Sequence, residues 1–255
     1  MNEILQAIVL GLIQGITEWL PISSSGHLVL FQHLFNIEQP IIFDIFLHLG
    51  SLIVVLIIFW QDIKNLIIGL IKKDKNSIKL TLQLIIATIP IALVGFFLND
   101  LIKSIFKDIR TVGFSLLFTA LLLFLSKYPL IKNKSLNYKN TLIIGLLQSL
   151  AILPGVSRSG TTISTGLIQG VKGEKAAKFA FLLFIPAILG ATILEARNIT
   201  KITNFTPLII STIVVVISGY FSLRLLLFII KKRKFSYFAW YCLILGLVTL
   251  TIAYL

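Results

Sequence analysis

Charge is what this chain has least of. Of its 255 residues only 13% are Asp, Glu, Lys or Arg, and 57% are hydrophobic, giving a mean hydropathy of +0.98. Soluble domains carry about 25% charged residues, so a soluble globular domain is excluded and the chain is read as an integral membrane protein. Cysteine is scarce too. The single Cys242, inside an apolar run, excludes a disulfide framework and a cysteine metal cluster. The opening MNEILQAIVLGLIQG has no positive n-region and no A-x-A-like cleavage site, so it reads as mature protein. Acidic residues are few, ten against 23 Lys and Arg, for a formal charge of +13. An excess of this size can mark a nucleic-acid binder, but its distribution along the chain fits the positive-inside rule, and no nucleic-acid partner is expected.

A spanning helix needs roughly 20 apolar residues. Six segments meet or approach that length: 41–60, 82–98, 112–126, 176–196, 207–230 and 237–255. Residues 1–36 and 141–170 instead hold pairs of short apolar pieces around a polar centre rich in Gly and Pro. Such a pattern predicts a helical hairpin that enters the membrane and returns on the same side, tolerated where its irregular backbone is buried in protein or lines a cavity. The two broken regions resemble each other at a constant offset of 134: GLIQGITEWLPISSSG (11–26) faces GLLQSLAILPGVSRSG (145–160). The expected fold is therefore all-α, a single membrane domain of six transmembrane helices plus two re-entrant hairpins. Repeat one covers 1–126 with hairpin 1–36, and repeat two covers 141–255 with hairpin 141–170. With the first hairpin opening outward and the second inward, the inner loops 61–79, 127–140, 171–178 and 231–234 carry sixteen Lys and Arg. The outer segments 1–3, 37–40, 99–111 and 197–206 carry five. That bias supports the layout and makes the repeats inverted in topology, with a site expected near the midplane where the breaks meet.

In the first break, Gln14 and Glu18 share a helix face that Pro21 ends, and Ser23, Ser24 and Ser25 can cap the helix opened by Gly26, His27 and Leu28. A carboxylate at membrane depth costs about 2.5–3.5 kcal/mol on the insertion scale, so Glu18 calls for a partner and a task. In the second break Pro154-Gly155 makes a turn, Ser157 or Ser159 can cap, and Arg158 sits beside backbone N–H groups at a helix N-terminus. That is an anion site whose guanidinium fork matches phosphate oxygens, or a clamp for Glu18, and both can hold in the empty state. Together the breaks supply a carboxylate for a divalent cation, hydroxyl and imidazole groups, and an arginine for phosphate, a set suited to phosphoryl transfer or hydrolysis. A phosphate site at this depth implies a substrate whose other end is lipid. Asp44 and His48, four apart on one helix face, either support the site or sit at the outer interface. Thr88-Ile89-Pro90 reads as a kink.

The motifs QGITEWLPISSSGHL and LPGVSRSGTT, with FDIFLHLGSL (43–52), ATIPIALVG (87–95) and FAFLLFIPAILGA (179–191), resemble the undecaprenyl-diphosphatase family of bacteria, also called the bacitracin-resistance protein family. The resemblance runs nearly end to end. It implies an inner-membrane enzyme that hydrolyses undecaprenyl diphosphate to the monophosphate and inorganic phosphate. That activity recycles the lipid carrier for peptidoglycan synthesis and confers bacitracin resistance. It also implies a divalent cation (Mg2+ or Ca2+) on Glu18 and Gln14, a site opening to the periplasm, and a homodimer. The catalytic candidates are Glu18, Ser24, His27 and Arg158, and the phosphate-binding candidates are Ser25, Gly26, Gly155, Ser157, Ser159, Gly160 and Thr162. Ala180 and Phe184 stand where relatives of the FSFLLSIP type carry serines, so those hydroxyls are not essential here. A transporter or flippase for a phosphorylated polyprenyl lipid is the alternative, because inverted repeats and a midplane site are transporter features. Ser24 and His27, three apart, can present to one point. Three routes stay open: attack by Ser24 with His27 or Glu18 as base, attack by His27, or attack by metal-bound water. Ser24 is favoured.

Overall fold

The computed structural model describes residues 2–35, 37, 40–98, 105, 108–130, 135–197 and 204–255. Parts of the outer segments 37–40, 99–111 and 197–206 and of the inner loop 127–140 lie outside the described residues. Among the described residues there are eleven α-helices and no strand. They are α1 (Glu3–Thr17), α2 (Ser24–Phe35), α3 (Ile41–Ile58), α4 (Trp60–Ile71), α5 (Lys75–Phe97), α6 (Ile109–Leu125), α7 (Tyr138–Ser149), α8 (Arg158–Ile168), α9 (Gly173–Ala196), α10 (Thr206–Lys231) and α11 (Phe238–Tyr254). Short 3₁₀ turns at Leu150–Ile152 and Phe235–Tyr237 follow α7 and precede α11.

Four helical stretches are long and apolar enough to cross a membrane among the described residues: α5, α9, α10 and Phe235–Tyr254. A fifth forms if α3 and α4, bent by 75° at Phe59, are one broken span. α6, expected as a span over 112–126, has 17 residues and falls just under that length. The protein is thus an all-α, multi-pass membrane protein. Large apolar side chains such as Phe97, Phe221, Trp240 and Ile244 face outward, where hydrocarbon rather than water is their solvent.

The stretch 61–79, expected as an inner loop, contains a helix. In α4, Ile63, Leu66, Ile67, Leu70 and Ile71 recur at helical spacing while Gln61, Lys64 and Asn65 take other positions, the pattern of an amphipathic helix. Asp62 ties it to Lys178 at the start of α9 through a salt bridge.

The two short pairs, α1–α2 and α7–α8, have helices of 11 to 15 residues. At 1.5 Å per residue these reach about 16–22 Å, well short of a hydrocarbon core of about 30 Å. Each pair packs against the other half of the chain: α1 runs along α10, and α7 along α5. Small residues permit these contacts. A Cβ on Gly11 would lie 2.9 Å from the Ser211 carbonyl oxygen, and one on Gly145 2.6 Å from the Ala87 carbonyl oxygen. Gly11 and Gly145 are offset-equivalent positions, so the exchange is reciprocal.

Candidate active site

The two breaks are built alike. Ser23 Oγ accepts from Gly26 N at 3.2 Å and lies 3.2 Å from Ser25 Oγ; Ser157 Oγ accepts from Gly160 N at 3.1 Å and lies 3.2 Å from Ser159 Oγ. Ser23 and Ser157 are therefore the caps, which leaves Ser24 and Arg158, the first residues of α2 and α8, free to point elsewhere. The breaks also touch. A Cβ on Gly26 would sit 3.0 Å from Gly155 Cα, and one on Gly160 3.3 Å from Pro21 Cβ. Neighbouring helices satisfy the irregular backbone in matching fashion: Thr119 Oγ1 of α6 donates to Gly155 O at 3.0 Å, and Cys242 Sγ of α11 donates to Pro21 O at 3.4 Å. The turns themselves differ. Gly155 carries the left-handed conformation in one (φ +98°), and a Cβ there would meet the Val112 carbonyl oxygen at 2.5 Å. In the other it is Ser23, at φ +69°, a conformation costly for a residue with a Cβ and of the kind that gathers at functional sites.

Glu18, capping the C-terminus of α1, is the centre of the resulting cluster. Its side chain is 5% exposed. Oε1 pairs with Arg158 Nη2. Oε2 accepts from Ser24 Oγ at 2.5 Å and from Gln14 Nε2 at 3.1 Å. The Gln14 amide nitrogen also lies 3.3 Å from His48 Nδ1 and 3.3 Å from Ser51 Oγ on α3. Arg158 therefore clamps Glu18 in this state, while Phe184 of α9 lies 4.1 Å under the guanidinium.

These groups form one end of a cavity of about 290 Å³. Its walls are largely apolar, from Leu28, Val29, Ile91, Ala92, Ile152, Ile188 and Leu194, and Gln32, Asp44 and Glu195 also line it, near the ends of α2, α3 and α9. Pro90 and Pro186 interrupt the hydrogen-bond ladders of α5 and α9 where those helices wall the cavity.

Not every expected residue reaches this cavity. Gln14, Glu18, Ser24, Ser25, Ser157 and Arg158 line it. His27 does not. Its Nδ1 lies 2.7 Å from Ser23 O and its Nε2 2.7 Å from Tyr241 OH, with the ring stacked on Tyr241 at 5.7 Å. Ser24 and His27 thus do not present to the same point, because α11 captures the imidazole. Gly26 and Gly160 serve close approach of the breaks, and Gly155 close approach of α6. Ser159, 3.4 Å from Leu20 O, and Thr162, bonded to Arg158 O at 2.8 Å, stand behind Arg158 rather than in front of it. The imidazole in the cavity belongs to His48, which the sequence left open; its signal was His48 and Ser51 spaced three apart as polar residues within FLHLGSL.

The chain that builds this site matches a known family along nearly its whole length. Residues 7–248 match the family described as Bacitracin resistance protein BacA. The chain belongs to that family. Within it, the chain is 44% identical to an undecaprenyl-diphosphatase of Halothermothrix orenii, covering 98% of each sequence. It is 40% identical to one of Methanosphaera stadtmanae and 41% identical to one of Bacteroides fragilis, with 99% of each sequence covered in both comparisons.

Proposed function

We propose that the protein hydrolyses undecaprenyl diphosphate to undecaprenyl monophosphate and inorganic phosphate. The carrying observation is that Glu18 and Ser24 from the first break and Arg158 from the second converge at the polar end of a cavity whose walls are apolar. The diphosphate fits the polar end and the first isoprene units the walls. Phosphoryl transfer needs positioning and charge neutralisation more than covalent chemistry from the protein, and these residues supply both.

The incoming terminal phosphate competes with Glu18 for Arg158. As the guanidinium turns to the phosphate oxygens, Glu18 Oε2 keeps its contact with Ser24 Oγ and accepts its proton. Ser24 Oγ then bonds to the terminal phosphorus, and the bond from that phosphorus to the bridging oxygen breaks. Undecaprenyl monophosphate leaves with the bridging oxygen, and Arg158 bears on the charge that develops on the phosphoryl oxygens. Glu18 then gives up that proton to the departing lipid phosphate and, again a carboxylate, takes a proton from the water that attacks the phosphoserine. The bond from phosphorus to Ser24 Oγ breaks, the serine oxygen takes the proton back from Glu18, and inorganic phosphate leaves. Among the residues present, Glu18 is the base with contact to Ser24, and His27 is not.

A divalent cation fits these residues when substrate oxygens complete its shell. Among the described residues no group of three or more His, Cys, Asp or Glu could hold a metal. The chain does offer oxygen donors of the kind Mg2+ and Ca2+ take: the Glu18 carboxylate, the Ser24 hydroxyl and Gln14 Oε1, which is buried with no hydrogen-bond partner. When bound there, the cation would neutralise diphosphate charge.

We place the cavity mouth on the periplasmic side of the inner membrane and read the two halves as inverted repeats. The support is that Glu195, which lines the cavity, lies at the opposite end of α9 from the Lys-rich turn at 172–178, and that the two breaks share capping and crossing geometry. The test is phosphate release from C55 diphosphate by purified protein, with and without a chelator. Metal-dependent release is the expected result. Intact substrate under every metal tried would overturn the assignment.

A further inference from the structure

Arg158 is held by two groups of opposite kind. Glu18 takes Nη2, and the guanidinium carbon lies over the face of the Phe184 ring, 4.1 Å from its centroid. Phe184 is itself fixed. It is 3% exposed, and Trp19 backs its ring with centroids 5.0 Å apart, so it cannot follow a moving arginine. The two grips differ in what they consume. A carboxylate occupies N–H donors and competes with any phosphate that wants them, whereas a ring face holds the cation through its quadrupole and leaves every N–H donor available.

We infer that Phe184 is the platform that keeps the Arg158 guanidinium aimed into the cavity once a diphosphate has drawn it off Glu18, a positioning residue for phosphate capture. The inference rests on reading Arg158 as the phosphate ligand. An arginine released from its carboxylate would otherwise regain the rotamer freedom of a long side chain and have to be ordered again on each binding event. The platform contact persists in the free and the bound state, so that ordering is already in place.

The experiment replaces Phe184 by 4-fluoro- and 3,4,5-trifluorophenylalanine, which weaken the ring face while hardly changing its shape, and by Phe184→Leu and Phe184→Tyr. The affinity for farnesyl diphosphate is measured calorimetrically in detergent with Ser24→Ala as the background, so that turnover does not intervene. Phosphate release is measured separately on the same series with Ser24 intact. Affinity should fall stepwise with fluorination, to a total of about tenfold, with Leu as weak or weaker and Tyr within about threefold of the parent. A flat fluorine series overturns the platform, including the case where Leu alone loses binding, since packing would then be the whole role. A graded affinity series in a protein that releases no phosphate would support the platform and refute the hydrolase reading instead. Loss of diphosphate binding in the parent protein would overturn both.

Discussion

Removing either charge of the Glu18–Arg158 pair should damage the protein twice, once in stability and once in chemistry. Side-chain exposures of 5% for Glu18 and 16% for Arg158 place both charges out of water. Deleting one partner of such a pair strands the other, at about 3–5 kcal/mol. For Glu18→Gln the lower end applies, about 3 kcal/mol, because Arg158 keeps the Phe184 face and some exposure. Arg158→Gln leaves a more deeply buried carboxylate, though Ser24 and Gln14 still donate to it, and a similar loss of about 3 kcal/mol follows. The double change removes both charges and strands neither. It should destabilise about as little as one single change, which is a coupling of about 3 kcal/mol. In detergent, with about 2–4 °C per kcal/mol for a chain of this size, each single variant should unfold roughly 6–12 °C below the parent, and the double variant no lower than either. Phosphate release should be lost in all three. Singles that unfold with the parent, or a double whose loss is the sum of the singles, would refute the buried-pair reasoning.

Ser24→Ala should lower turnover by about a thousandfold or more, and rapid-quench trapping with radiolabelled substrate should find an acid-stable phosphoserine in the parent; an acid-labile, base-stable adduct would overturn the route through Ser24. Ser23→Ala removes only the cap on Gly26 N, so about 1 kcal/mol of stability should go while substantial turnover stays. His27→Ala should retain at least about tenfold more activity than Ser24→Ala, because its ring lies against Tyr241 outside the cavity; equal loss in the two would show that His27 reaches the substrate in another state. Cysteine-accessibility labelling should place Leu255 outside and residues 231–234 inside, and an inner C-terminus would break the inverted-repeat reading.

What the sequence made legible were features carried by local composition. Pro21 and Pro154-Gly155 interrupt apolar runs, so the breaks, their serine caps and the equivalence of Ser24 with Arg158 could be read from spacing alone. The Glu18–Arg158 contact was already one of two readings of Arg158. His27 was expected beside Ser24 because three residues on a helix is close in sequence terms, yet the ring's direction is set by Tyr241, 214 positions away. His48 could not be chosen over the outer interface until α3 was packed beside α1. α4 was readable and was passed over: its apolar residues keep helical spacing through a stretch judged a loop by its lysines. Gly26 and Gly155 look like phosphate-loop glycines in sequence, and only the packed structure reveals that Gly26 makes room for the second break and Gly155 for α6.

The division of the site between two halves has a physical consequence. Neither Glu18 nor Arg158 has a countercharge within its own hairpin, and each alone at membrane depth would cost about 2.5–3.5 kcal/mol on the insertion scale. Bringing the hairpins together cancels much of both costs at once, so assembly of the halves and formation of the site are one event. On the proposed route the same pairing would keep the site dormant without substrate, because the arginine that would receive a phosphate is engaged by the carboxylate that would take the serine proton. A phosphate that recruits Arg158 therefore also frees Glu18. An uncharged lipid entering the same apolar cavity brings no group able to replace the carboxylate on the guanidinium. Selection for a phosphorylated headgroup and activation of Ser24 thus follow from a single exchange of partners at Arg158.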